Sequence, residues 1–276
     1  MEQTINNLRG DVQAKLTFLD PPSDGSRSFV YVEEPHGGHP KRNFTEVRHQ
    51  VTLSDIRGRE SHYTLDKDGF QALRGVSSAT TNRTFDSESE IRDIYFGEVE
   101  KLLLHAVPDA SRVVIFDYTI RKHNPASNRQ PVDFVHVDQS PKAAEQRLLK
   151  SISNPEEAQA LLQGRYRIVN VWRPLNGKVE TMPLAFASAA SVSPGDLTEI
   201  ERRYPDFTGA TMGLKHKESH KWLYWSEVDN DERILLKCFD SKDGVAQRIP
   251  HAAFRDPRSS ANGKPRESIE VRTLVF

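Results

Sequence analysis

Two histidines, one carboxylate and a later arginine are the residues of this chain whose types and spacing could do chemistry. His136 and Asp138 stand two apart in FVHVD, His251 follows Ile249-Pro250, and Arg266 precedes Ser268 by two. Residues two apart on a strand face the same side, so His136 and Asp138 would both point inward while Val135 and Val137 pack the other way. His251 would arrive from a neighbouring strand. Two imidazoles and a carboxylate on one face of an iron(II) ion leave its other positions open. A 2-oxo acid can fill two of these and dioxygen (O2) a third. The resulting iron-oxo intermediate would take hydrogen from an unactivated carbon. The distal carboxylate of the 2-oxo acid needs a cation. Arg266 suits it because a guanidinium binds a carboxylate through two parallel hydrogen bonds, and Ser268 would add a hydroxyl one strand repeat on. Arg272 lies further along the same face, and Arg173 is a more distant candidate for the same role.

Plainer readings use the same residues. His136 reads equally as a satisfied core histidine with Asp138 capping the helix that follows, and Arg266 with Glu267 as a surface ion pair. Zinc on the same ligands would make a hydrolase, although it would leave the R-x-S unexplained. A jelly roll that binds a small molecule without turning it over also stays open. His216-Lys217-Glu218-Ser219-His220 offers a second H-x-E, but Lys215, Lys217 and Lys221 surround it and repel a cation. The loop His36-Gly37-Gly38-His39 has no carboxylate fixed nearby beyond Glu33 and Glu34. No G-x-S-x-G nucleophile motif occurs. No G-x-G-x-x-G follows a strand, which argues against a dinucleotide fold.

The elements that must position these residues are mostly strands. SFVYVEE and TEVRHQVTL alternate as half-buried strands do, and RVVIFDYTI is short and β-branched enough to be a buried one. Strands dominate again in YRIVNVW, PLAFASAASV, KWLYW, ERILLKCF and SIEVRTLVF. The clearest helix spans 87–106, where Ser87 and Glu90 fit a capping box and Ile91, Ile94, Tyr95, Val99, Leu102 and Ala106 form one stripe. Ser140-Pro141 and Asn154-Pro155 each start a further helix, the second ending at Gly164. A helical segment near 195–203 also fits. On YRIVNVW, Asn170 and Trp172 share a face, either as cavity wall for a substrate or as core, and a buried Asn170 would need a partner. Trp222, Tyr224 and Trp225 read mainly as packing. Strands, helices, then many strands without βα alternation predict a mainly β fold with flanking helices: a double-stranded β-helix, or jelly roll of cupin type. One domain, 1–276, would hold N-terminal strands and loops (1–85), a supporting helix (87–106) and the jelly-roll core (111–276).

Composition agrees. In 276 residues, 36% are hydrophobic and 28% charged, and 38 basic against 39 acidic residues leave a net charge of -1. That charge gives no means to capture nucleic acid or an anionic membrane, so the expected partner is a small molecule. No apolar run approaches the roughly 20 residues of a membrane span, and no secretory signal is visible, so a cytoplasmic location is expected. The lone cysteine, Cys238, excludes an internal disulfide and reads as a buried thiol. Oligomeric state is silent.

At these residues the chain resembles the fungal gibberellin desaturase-like and aspergillic-acid-type hydroxylase/desaturases, a family related to cephamycin methoxylation proteins. The resemblance rests on LSDIRG, YTLDKDGF, VVIFDYTIRK, FVHVDQSP, NVWRPL, HKWLYWSEVDNDERILLKCFDS, IPHAAFRDP and PRESIEVRTLVF, from about residue 50 to the last. It implies a non-haem iron(II), 2-oxoglutarate-dependent oxygenase of fungal secondary metabolism, hydroxylating or desaturating a small metabolite. On that likeness His136, Asp138 and His251 are the metal ligands, and Arg266, Ser268 or Arg272 holds 2-oxoglutarate. One departure stands out: after PLA, relatives often carry Cys-Asp and soon an Arg, where this chain has Ala187-Ser188 and Ala190. If that strand faces the cavity, substrate or outcome would differ.

Overall fold

The structure, a computed structural model, describes residues 8–122 and 130–276. The β-branched runs pair into a five-stranded sheet in the order β4 (Phe70–Leu73), β12 (Arg233–Asp240), β7 (Arg167–Pro174), β14 (Ser268–Val275) and β5 (Val113–Arg121). All its neighbours are antiparallel. The second sheet has nine strands. Its order is β1 (Val12–Asp20), β3 (Thr45–Asp55), β11 (Trp222–Tyr224), β8 (Leu184–Ala187), β13 (His251–Ala253), β6 (His136–Val137), β10 (Thr208–Leu214), β9 (Leu197–Arg203) and β2 (Ser28–Tyr31). From β5 to β8 the chain alternates between the sheets at every step. After an excursion through β9 and β10 it returns to β11 and alternates again to β14. That crossing pattern is the jelly roll expected from the sequence.

The two faces of each strand fill different cores. Phe186, Ala253, Ile249, Phe70, Trp172 and Leu236 pack between the sheets. Ala185, Ala187 and Ala252 point the other way, onto Ala14, Leu16 and Phe18 of the N-terminal hairpin β1–β3. The N-terminal strands are therefore built into the second sheet rather than laid beside it. The outer face of the five-stranded sheet buries Val169, Val171, Leu235, Ile269 and Val271 against the long helix. α4 (Pro141–Ser151) and α5 (Pro155–Gln163) start on the Ser140 and Asn154 caps and close one end through Ala144, Leu148 and Ala158.

Two local expectations change. The long helix is continuous but contains a π turn at Ile91–Tyr95, between Glu88–Glu90 and Phe96–Ala106. A π turn takes more residues than an α turn. The buried stripe therefore steps by four, through Ile91, Tyr95, Val99 and Leu103, and leaves Ile94 37% exposed. Residues 195–203 are not helical: after a single turn at Pro194–Asp196 they form β9, which pairs along its whole length with β10. Seven residues of mixed polarity suit either period, and the partner strand decides.

Candidate metal centre

His136 and His251 are directly opposite one another across the β6–β13 pair, so both imidazoles leave the same side of the sheet. Their ring centroids are 4.7 Å apart. Asp138, just beyond β6, turns Oδ1 to within 3.3 Å of His136 Nε2. One ligand atom from each of the three lies within 4.8 Å of the others, and no other such group occurs among the described residues. His136 Nδ1 donates to the Phe134 carbonyl at 2.8 Å and His251 Nδ1 to the Ile249 carbonyl at 3.1 Å. A carbonyl can only accept, so both Nδ1 atoms carry a proton and the Nε2 atoms are left for the centre.

The electrostatics suit a cation. Burial works against the charged form of Asp138. Arg272 and then His136 outweigh it and hold the carboxyl well below its usual range. Burial and His136 push His251 down, favouring the neutral, ligating imidazole. For His136 burial acts the same way, but the Asp138 carboxylate overrides it and raises the pKa.

Asp138 Oδ2 faces away from this centre. It accepts from Asn170 Nδ2 at 2.8 Å and from Arg272 Nε at 2.9 Å. Asn170 also donates to Glu270 Oε1 at 3.0 Å. It is therefore the buried amide that needed a partner: its NH2 group finds two carboxylates, while its buried Oδ1 has no protein partner. Arg272 commits three more of its five donors to Glu270, Asp117 and Thr119. Arg272 is thus surrounded by the carboxylates of Asp138, Glu270 and Asp117. Strand alternation puts Arg173 on the opposite face of β7 from Asn170, against Phe85 and Tyr95, where it donates to Ser78 and Thr80.

Arg266 behaves differently. It is 6% exposed, its Nη1 donates to the Met182 carbonyl at 2.6 Å, and its Nε has no protein acceptor. The guanidinium lies 5.5 Å over the Trp172 ring. It forms no ion pair among the described residues. Burial, and then Arg121, push its pKa down to about 9, so it is still a cation at neutral pH. A buried cation with no carboxylate in ion-pair contact is costly, and an incoming carboxylate would relieve it. Ser268 is buried beside it at the start of β14, opposite Arg121 of β5. Donor set and orphaned guanidinium together fit iron(II) with a dicarboxylic 2-oxo acid.

Sequence reasoning missed Glu270 and the carbonyls of Phe134 and Ile249. Glu270 had a signal, since Arg266, Ser268, Glu270 and Arg272 follow at two-residue steps. Phe186, opposite His251, and Leu184 face the space between the sheets. Ala187 points instead into the cluster around Trp222, so the first position of the departure lies on the face away from the imidazoles. The decoy does not assemble. His216 stacks on His49 at 3.8 Å, while His220 and Lys217 pair with Asp196. Trp222, Tyr224 and Trp225 are buried packing. Cys238 is a buried free thiol.

Comparison with known proteins agrees with this chemistry. A family model described as "Oxidoreductase/YMDC permease-like domain" matches residues 16–276. No helix among the described residues is long and apolar enough to cross a membrane. The hydroxylase/desaturase poxK of Penicillium oxalicum is 32% identical over 97% of this chain and 92% of its own. The Fe(II)/2-oxoglutarate-dependent dioxygenase nvfI of Aspergillus novofumigatus is 31% identical over 96% of each chain. The solved structure of the iron and alpha-ketoglutarate-dependent endoperoxidase NvfI superposes with a TM-score of 0.87 at 30% identity, covering 97% of this chain and 98% of that one. Nothing in these relatives supports a zinc hydrolase or a binding protein without turnover. The chain belongs to this family of hydroxylase/desaturases and is an Fe(II)/2-oxoglutarate-dependent dioxygenase, with iron(II), 2-oxoglutarate and O2 as its cofactor and cosubstrates.

Proposed function

We propose that His136, Asp138 and His251 hold the iron(II), that Arg266 with Ser268 holds the distal carboxylate of 2-oxoglutarate, and that the substrate is a small secondary metabolite. The observation that carries this reading is the convergence of three ligand atoms within 4.8 Å. The bound iron(II), with 2-oxoglutarate and dioxygen, supplies the power to break an unactivated C–H bond. The protein's part is positioning. Two backbone carbonyls fix the imidazole tautomers. Arg266, seated on Trp172, sets where the cosubstrate's far end rests. Phe70, Trp172 and Phe186 keep the space between the sheets apolar, so that water does not compete for the reaction.

The names of the relatives support hydroxylation or desaturation as the outcome. On this reading the whole chain, 1–276, is one catalytic unit, because hairpin β1–β3 packs on the strands that carry His251 and Val135. A cytoplasmic location goes with it, supported by the single buried thiol. The test is succinate release from 2-oxoglutarate under air. Wild type should release succinate slowly alone and faster with the right metabolite, and His251→Ala should release none and retain no iron. Succinate release by His251→Ala at the wild-type rate would exclude this ligand set.

A further inference from the structure

The contacts of Asp138 divide its two oxygens sharply. Oδ1 faces His136 Nε2, whereas Oδ2 takes one hydrogen bond from Asn170 and one from Arg272. Carboxylates only accept, so the Asn170 amide must aim its NH2 group at Asp138 and Glu270, and this fixes its orientation. Glu270 grips both donors: Oε1 takes Asn170 and Oε2 takes Arg272. Arg272 is tied again to Asp117 and Thr119 on the next strand. The three side chains come from directly paired positions, since Asn170 of β7 sits opposite Arg272 of β14, which sits opposite Asp117 of β5.

We propose that Asn170 and Arg272 are positioning residues that pin Oδ2 of Asp138 and so restrict this carboxylate to a single oxygen toward the cation, with Glu270 holding both donors in place. The proposal rests on Asp138 being a ligand. Its chemical consequence is a matter of coordination number. Two imidazoles and one oxygen leave three of six positions free, enough for a 2-oxo acid bound through two oxygens and for dioxygen. A carboxylate free to swing would bring its second oxygen in and take one of those positions. Charge agrees with the assignment. Asp138 and Glu270 are two largely buried carboxylates on one guanidinium, an excess of negative charge that a divalent cation balances.

The test uses full-length Asn170→Ala and Arg272→Lys, the second keeping the positive charge should the first fold poorly. Cobalt(II) serves as an air-stable probe in place of iron(II). The dissociation constant for cobalt(II) should rise about 10–100-fold in both variants. At saturating cobalt(II), that for 2-oxoglutarate should rise as well, even where the loss of a buried donor lowers the melting temperature of the metal-free protein. A merely structural role would lower the melting temperature but leave both constants unchanged, and that result overturns the proposal. Wild-type protein that takes up no cobalt(II) would overturn the ligand reading and the proposal with it. Wild-type uptake matched by both variants would overturn the proposal alone.

Discussion

At the scale of single residues, the R-x-S pair carries the most instructive contrast. Arg266 and Arg272 stand six apart on one face, and nothing in their spacing says which one meets a ligand. The neighbours decide. Arg272 lies among Asp138, Glu270 and Asp117, whereas Arg266 has a carbonyl, an aromatic face and no carboxylate. Removing an unpaired buried charge costs little, and replacing it with an apolar side chain can stabilise. Arg266→Met should therefore melt at or above the wild-type temperature when free of ligand. Its affinity for 2-oxoglutarate should nevertheless fall about 10–100-fold, because charge-assisted hydrogen bonds contribute roughly 1.5–3 kcal/mol. Calorimetric titration and thermal melts read both quantities. An unchanged 2-oxoglutarate affinity would move the carboxylate site elsewhere. His136 and Asp138 were legible because the strand period of two puts them on one face. Asn170 was legible only as a buried amide wanting a partner.

At the scale of elements, β12 contains a fully buried ion pair, Lys237 with Asp240 at 2.6 Å, beside a bulge between Lys237 and Phe239. Asp66 and Arg165 complete the network from neighbouring segments. Breaking a buried pair leaves an uncompensated charge, so Asp240→Asn should cost about 3–5 kcal/mol of stability at neutral pH. The same network sets an acid limit. Burial raises the Asp66 pKa, but hydrogen bonds from Arg165 and Lys237 outweigh it and bring it down to about 2 from 3.8. A folded-state value below the unfolded one means the stabilisation is complete above about pH 4 and is lost as pH falls toward 2. Urea unfolding across that range should show the fall in wild type and a shallower one in Asp66→Asn. Equal slopes would remove Asp66 from the account. None of this was legible in ILLKCF, which reads as plain apolar strand with one lysine. The π turn in the long helix was equally hidden, because four residues per buried step also fits an ordinary amphipathic stripe for the first two turns. β9 was misread as helix because its pairing with β10 is a tertiary fact.

At the scale of the whole molecule, the chain brings its chemistry together by crossing between two sheets at every step from β5 to β8 and again from β11 to β14. His136 and His251 are 115 positions apart in the sequence yet exactly one strand spacing apart in the sheet. The jelly roll was legible because strands without βα alternation, and with an inward-facing H-x-D, leave few other architectures. The placement of the hairpin β1–β3 on the back of β8 and β13 was not, since alternating strands look alike whichever sheet they join. The central claim is that two imidazoles and a carboxylate share one iron(II) beside a guanidinium that holds 2-oxoglutarate. An anaerobic visible titration tests it most directly. Wild type should develop a weak charge-transfer band only when both iron(II) and 2-oxoglutarate are present, saturating at one equivalent of iron(II), and His136→Ala should develop none. Folded wild type without a band, or His136→Ala with the same band at the same stoichiometry, would contradict it.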